Sequence, residues 1–401
     1  MLLASLKGRD TVATLNINTG SKVTADESTA YRIPVVFHIV LNSTQMSALG
    51  TPENIRSYIA AQLEVINRDF NAQNSDSTGI PAVFKPFHGN AKVRFELAHT
   101  APDGSASAGY NTYVTTKQGF DFENDITNSV GFSDSKYSNT GGIDAWDPTT
   151  YLNVWVINPL DDGKTNTLLG LTIPPSFVAR YNIPYVEQGI TLNYLTWKGM
   201  GAPRYRTLTH ELGHYFELRH IWGDDDGKCA NNGGNDDGIE DTPPQAKETY
   251  GCPRFPKYDA CSPEGSGIMF MNYMDYTDDA CQLMFTKEQV ALMRRQLQVY
   301  GNSYSLTRHP QVLDYPASTA INYTVSPNPA NKLINISFAQ TSAGLQSIRL
   351  FNAIGQQVYE RKVEAQQGFY SIDATVFMKG LYLLQLKFTH KQEVHRISVQ
   401  D

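Results

Sequence analysis

The sequence predicts an α+β domain followed by a small all-β module. Helix-period and strand-period segments alternate over roughly the first three hundred residues, and a loop-rich stretch then carries every cysteine. Past residue 321 only short strands with alternating apolar residues remain, broken by Gly, Pro or Asn every 8 to 12 residues. With 401 residues, the chain has room for two or three domains and a sizeable core.

Residues 1–30 are polar and irregular, end in "SKVTADESTA", and read as an extension that precedes the fold. The first strand is "IPVVFHIVL" (33–41), apolar and β-branched. In "TPENIRSYIAAQLEVINRDFN" (51–71), Thr51 can cap and Pro52 sits in the first turn. Ile55, Ile59, Leu63 and Ile66 then recur at helical spacing. "AKVRFELAH" and "YLNVWVINPL" are further strands, the second central. "LGHYFELRH" belongs to a second helix and "TKEQVALMRRQLQVYG" (286–301) to a third, with Thr286 as cap and Glu288 beside it. These elements place the α+β domain at 31–305. "LTRHPQVLDYPAST" has two prolines and no periodicity, so 306–321 reads as a linker. The β-sandwich then spans 322–401. Its strands are read in "INYTVSPNP", "KLINISF", "SIRLFNAIG", "QQVYERKV", "GFYSIDA" and "GLYLLQLKF".

Apolar residues make up 41% of the chain and no run approaches a span of about 18, so no membrane crossing is expected. A net charge of −7 without a basic patch argues against a nucleic-acid partner. "MLLASLKGRDTV" lacks the apolar run and cleavage site of a signal peptide. Yet Cys229, Cys252, Cys261 and Cys281 fall within one 53-residue segment at spacings of 23, 9 and 20, unlike the paired C-x-x-C of a zinc ribbon. Two disulfides and an oxidising compartment follow, with three pairings open. The protein is expected to be secreted or on the cell surface, its export signal having been removed.

"HELGHYFELRH" (210–220) carries the chemistry. At about 100° per residue, His210 and His214 project together, whereas His220 in a continuous helix would sit about 80° round and several turns on. Either His220 is no ligand, or the helix ends after His214 and the chain turns back. A catalytic zinc takes three protein ligands and an open position, beside which Glu211 can act as general base.

His220 stands at the spacing at which metzincin metalloproteases place their third ligand, and "NYMDY" (272–276) resembles their Met-turn. "HELGHYFELRHIWGDDD", "DGIEDTPPQ", "MNYMDYTDDACQLMFTKEQ" and the first strand "IPVVFHIV" together resemble the pappalysin family, over roughly residues 31 to 300. The resemblance implies a metzincin-like domain: a twisted mixed sheet, an active-site helix and a loop-rich C-terminal subdomain. It implies a zinc endopeptidase acting on protein or peptide substrates. His210, His214 and His220 would hold zinc, Glu211 would act on zinc-bound water, and Met274 would floor the site. Tyr276 would bond the developing oxyanion. It also implies the crossed disulfides Cys229–Cys261 and Cys252–Cys281. Asp278 and Asp279 would wall the pocket after the cut and favour Lys or Arg there.

In that pattern a glycine ends the helix; here it is Glu217. Glycine takes positive φ freely, and another residue there costs roughly 1–2 kcal/mol. Zinc binding supplies of order 10–16 kcal/mol, so the site is expected to form. Its placement is expected to be looser, and a large gain in turnover from Glu217→Gly would mark a crippled enzyme.

"DDDGKCANNGGNDDGIEDT" (224–242) holds seven carboxylates and suits calcium, though not in EF-hand register. Structural calcium occurs in pappalysin relatives, and Asp237, Glu240 and Thr242 are the expected ligands. Secreted proteases are usually latent. No cysteine precedes residue 229, so Asp10 in "KGRDT" is the candidate to cap the zinc. The last 80 residues, with "VSPNPANKLINI", "IRLFNAIGQQV" and "GFYSIDATVFMKGLYLLQL", resemble the sorting domain of type IX secretion substrates. That implies an immunoglobulin-like sandwich and the type IX secretion machinery as partner. Two rival readings are a non-catalytic adhesin that keeps zinc as a brace, and an enzyme acting on a small amide.

Overall fold

In the first unit of the computed structural model, β1 (Tyr31–Leu41) leads into helices α1 (Ser43–Leu49) and α2 (Pro52–Phe70). There follow β2 (Val93–Leu97), β3 (Tyr110–Val114), β4 (Phe120–Asp121), β5 (Leu152–Ile157), β6 (Pro159–Asp161), β7 (Lys164–Thr165) and β8 (Gly170–Ile173). Helix α3 (Pro175–Tyr181), β9 (Gly189–Asn193), α4 (Arg206–Tyr215) and α5 (Lys287–Gln296) complete the unit. The structure describes residues 29–121, 133–161, 164–165, 168–197, 205–229, 236–314, 323–338, 344–363, 367–388 and 392–400.

The main sheet runs β2-β1-β5-β9-β8, with β3 also on β1. β1 pairs in parallel with β2, β3 and β5 along its two edges, and every residue from Ile33 to Leu41 is buried, whichever face it points to. That is why it reads as one apolar run rather than an alternation. β8 lies at the end and is antiparallel to β9, with Leu171 opposite Thr191. α2 buries Ile55, Ile59, Ile66 and Phe70, and Thr51 caps it in a capping box with Asn54. α5 starts the same way from Thr286, whose box partner is Gln289 rather than the neighbouring Glu288.

The helix that carries the start of "LGHYFELRH" begins before it, at Arg206, and stops at Tyr215, the shorter of the two extents the sequence left open. One expectation is corrected. The first part of the expected 306–321 linker is folded: Leu306, Val312 and Leu313 are buried, and the Val312 carbonyl accepts from the His99 and Thr100 amides. These few apolar residues dock in 3-10 turns, which leave no helix or strand period to read.

The chain divides at Pro316, and a second unit runs from Ala317. It holds β10 (Tyr323–Ser326), β11 (Leu333–Phe338), β12 (Leu345–Asn352), β13 (Gln357–Lys362), β14 (Phe369–Asp373), β15 (Gly380–Phe388) and β16 (Gln392–Val399). They form two sheets, β10-β11-β14 and β13-β12-β15-β16, with every pairing antiparallel. Ile334 and Ile372 of the first share an apolar cluster with Leu350 and Leu384 of the second.

Candidate active site

α4 is pinned at its start. Arg206 bonds Asp69 of α2 and Asp76, and Asp69 also accepts from Thr209 and the hydroxyl of Tyr273. One turn later His210 and His214 project from the same face, as their four-residue spacing requires. Their Nε2 atoms are 3.1 Å apart, and His220 Nε2 is 3.1 Å from that of His214.

The other ring nitrogens fix the tautomers. His210 Nδ1 lies 2.7 Å from the Tyr273 carbonyl, and His214 Nδ1 lies 2.8 Å from the Leu218 carbonyl. His220 Nδ1 lies 2.9 Å from the Asp224 carboxylate. Those oxygens accept, so each Nδ1 carries the proton and each Nε2 presents a lone pair. Burial above all, then the neighbouring imidazole, pushes His210 and His214 down to about 3, and burial lowers His220 as well. Three neutral imidazoles with converging lone pairs are a zinc donor set. Nitrogens about 2.0–2.1 Å from a tetrahedral ion stand roughly 3.3 Å apart, close to the spacing found. Among the described residues this is the one such cluster of histidine, cysteine and acidic side chains.

His220 arrives because the helix ends in a Schellman motif. The Leu218 amide donates to the Gly213 carbonyl and the Glu217 amide to that of His214. Glu217 takes the left-handed position, with φ of +74°. The chain reverses there, and His220 comes to rest stacked on Trp222 with ring centroids 4.3 Å apart. The Glu217 side chain is engaged too: its carboxylate accepts from Ser176 Oγ at 2.6 Å.

Beneath the helix, Met274 is fully buried, and a Cβ on Gly213 would lie 2.4 Å from its sulfur. The segment is held by Asn272, which accepts from the Met274 amide and exchanges bonds with Gln289 of α5. Tyr276 brings its hydroxyl 3.0 Å from His220 Nε2.

Glu211 faces β8. The Thr172 hydroxyl lies 2.6 Å from its Oε2, and a Cβ on Gly170 would fall 2.7 Å from its Cγ and Oε1. Only glycine allows this approach. Burial pushes the Glu211 carboxyl up to about 7, against the Thr172 bond that lowers it. Thr172, Gly170 and Asp224 are site residues that the sequence reading did not single out. Asp224 lay within the acidic run, and its place four residues past His220 was the available signal.

Cys229 is bonded to Cys261, and Cys252 to Cys281. Asp237 is buried, accepts from the Thr242 hydroxyl, and is pushed up to about 7 by burial, with the neighbouring Asp236 and Asp241 adding to the rise. Glu240 is close in sequence but exposed. Asp279 accepts from the Arg206 amide at the start of α4, and Asp278 is exposed. Asp10 lies outside the described residues.

A family profile described as pregnancy-associated plasma protein-A matches residues 136–298, and one described as a secretion system C-terminal sorting domain matches 324–400. Mature mirolysin of Tannerella forsythia in complex with a cleaved peptide is 37% identical, with a TM-score of 0.60. That match covers 70% of this chain and 96% of the mirolysin chain. An extracellular metalloprotease of Arthroderma benhamiae is 34% identical over 158 residues, 38% of this chain and 48% of the relative. One of Neurospora crassa is 33% identical over 156 residues. The chain thus spans about half the length of the curated relatives it matches.

Proposed function

Because the chain belongs to the pappalysin family of metzincin metalloendopeptidases, we propose that it is a secreted or cell-surface zinc endopeptidase that hydrolyses peptide bonds in proteins. The observation that carries this reading is the convergence of three unprotonated Nε2 atoms, with the buried Glu211 following the first of their histidines on the same helix. His210, His214 and His220 would hold zinc, which would supply Lewis-acid activation of a water near neutral pH. Glu211 takes the proton of the attacking water and passes it to the leaving amine. Thr172 aims the Glu211 carboxylate, and the Tyr276 hydroxyl bonds the developing oxyanion.

β8 is the last strand of the sheet's main path, and we place an extended substrate along it as an added antiparallel strand. We assign a preference for Lys or Arg after the cut to Asp278 and Asp279, although Asp279 spends one oxygen on Arg206. Calcium is proposed at Asp237 and Thr242 with Glu240, since a buried carboxylate crowded by Asp236 and Asp241 suits a divalent cation. Latency is assigned to Asp10. The C-terminal unit is proposed to be an immunoglobulin-like sorting module read by the type IX secretion machinery, a reading its seven strands in two sheets support.

Digestion of a denatured protein by the full chain tests the activity. Cleavage is expected, blocked by a zinc chelator and restored by zinc, with new N-termini that begin with Lys or Arg. Glu211→Gln is expected to lower kcat by about 10²–10⁴-fold at equal zinc content. A zinc-loaded chain that cleaves nothing, or a Gln variant as fast as the parent, overturns the proposal.

A further inference from the structure

Glu217 ties the turn between the second and third histidines to the segment that follows the edge strand. Its Oε2 accepts from Ser176 Oγ at 2.6 Å, and Oε1 accepts from the Ser176 amide at 3.4 Å and from Asn302 Nδ2 at 3.3 Å. Ser176 is the second residue of α3, three residues past the end of β8. β8 is itself fastened by Thr172 to Glu211. The strand and the helix after it are therefore held to α4 and its terminal turn at two points, 172 to 211 and 176 to 217. A glycine at 217 would satisfy the backbone, whose φ is +74°, but could make only the first of these ties.

We propose that Glu217 is a positioning residue that latches β8 against the metal-binding helix and so sets the seat of the peptide backbone. The proposal rests on the peptidase reading. It reverses the expectation that glycine would improve the enzyme: relief of backbone strain comes with loss of the latch. A charged acceptor bonded to a hydroxyl is a strong tie, and Ser176 is its specific partner.

The test uses the full zinc-loaded chain, with Glu217→Gly, Glu217→Gln, Ser176→Ala and the Gly/Ala double variant. kcat and KM are measured on a long peptide and on a substrate too short to run along β8. The latch predicts that Glu217→Gly and Ser176→Ala each raise KM for the long peptide about tenfold, the ratio one lost charge-assisted bond supports. KM for the short substrate, which does not run along β8, should stay within about twofold. The Gln variant, which keeps an acceptor for Ser176, should restore most of the affinity, and the double variant should be no worse than Glu217→Gly. Unchanged or lower KM in Glu217→Gly overturns the latch. So does a uniform loss of kcat at constant KM, which would mark a general structural role.

Hydrogen exchange separates this proposal from the activity itself. Amides of Leu171, Thr172, Ile173, Ser176 and Phe177 should exchange faster in Glu217→Gly than in the parent, whether or not either chain cleaves peptide. Equal protection there overturns the latch. Failure of the zinc-loaded parent to cleave any peptide would count against the peptidase reading alone.

Discussion

Each of the three converging imidazoles has one nitrogen committed and one presented, and the committing partner decides how firmly the ring is aimed. For His210 and His214 that partner is a backbone carbonyl, which no side-chain substitution removes. For His220 it is the Asp224 carboxylate, reached by both oxygens within 3.0 Å. A carboxylate behind a ligating histidine orients the ring and raises its basicity. Asp224→Ala is therefore expected to weaken zinc affinity about 10–100-fold, read by competition with a chromophoric chelator. Unchanged affinity would mean that stacking on Trp222 alone aims the ring. His210, Glu211, His214, His220 and Met274 could be singled out because they sit at fixed spacings in two short strings. Thr172 was not, since it reaches Glu211 only after 39 residues of chain bring β8 against α4.

At the scale of elements, the site lies where an edge strand and a helix end meet. β1, β5, α2 and α5 could be read from apolar runs, helical period and caps, because burial on one or two faces writes those patterns. β8 and β9 are only four and five residues long, and α3 has seven, so no period develops. Yet β8 brings Gly170 and Thr172 to Glu211. Gly170→Ala would press its Cβ into the Glu211 side chain at 2.7 Å, and displacing a base by about 1 Å costs on the order of a hundredfold in rate. The expected outcome is a fall of that size in kcat with zinc content unchanged. Parental turnover in the Ala variant would show that Glu211 is not held at the distance described. The end of α4 was half legible. The Schellman reversal needs a left-handed residue, which sequence rules assign to glycine, and here Glu217 takes it, with its side chain bonded to Ser176.

Over the whole molecule, the two units keep separate apolar cores. One is built on the β1–β5–β9 sheet with α2 and α4, and the other lies between the two C-terminal sheets. All three histidines, Glu211 and both disulfides belong to the first unit. A chain ending at residue 316 is accordingly expected to bind zinc and cleave peptide with kcat/KM within about twofold of the full chain, since separate cores fold as units. A large loss on truncation would show that the C-terminal unit contributes to the site. The change to short alternating strands in the second unit was visible in the sequence. The folding of 306–314 onto the first unit was not, because three buried side chains in 3-10 turns leave no periodic mark.

The most direct measurement is zinc K-edge X-ray absorption on the full chain loaded with one equivalent of zinc. Three imidazole nitrogens at about 2.0–2.1 Å are expected, with a single light-atom ligand completing the shell. Two imidazoles, or a shell unaltered by His220→Ala, would contradict the three-histidine site.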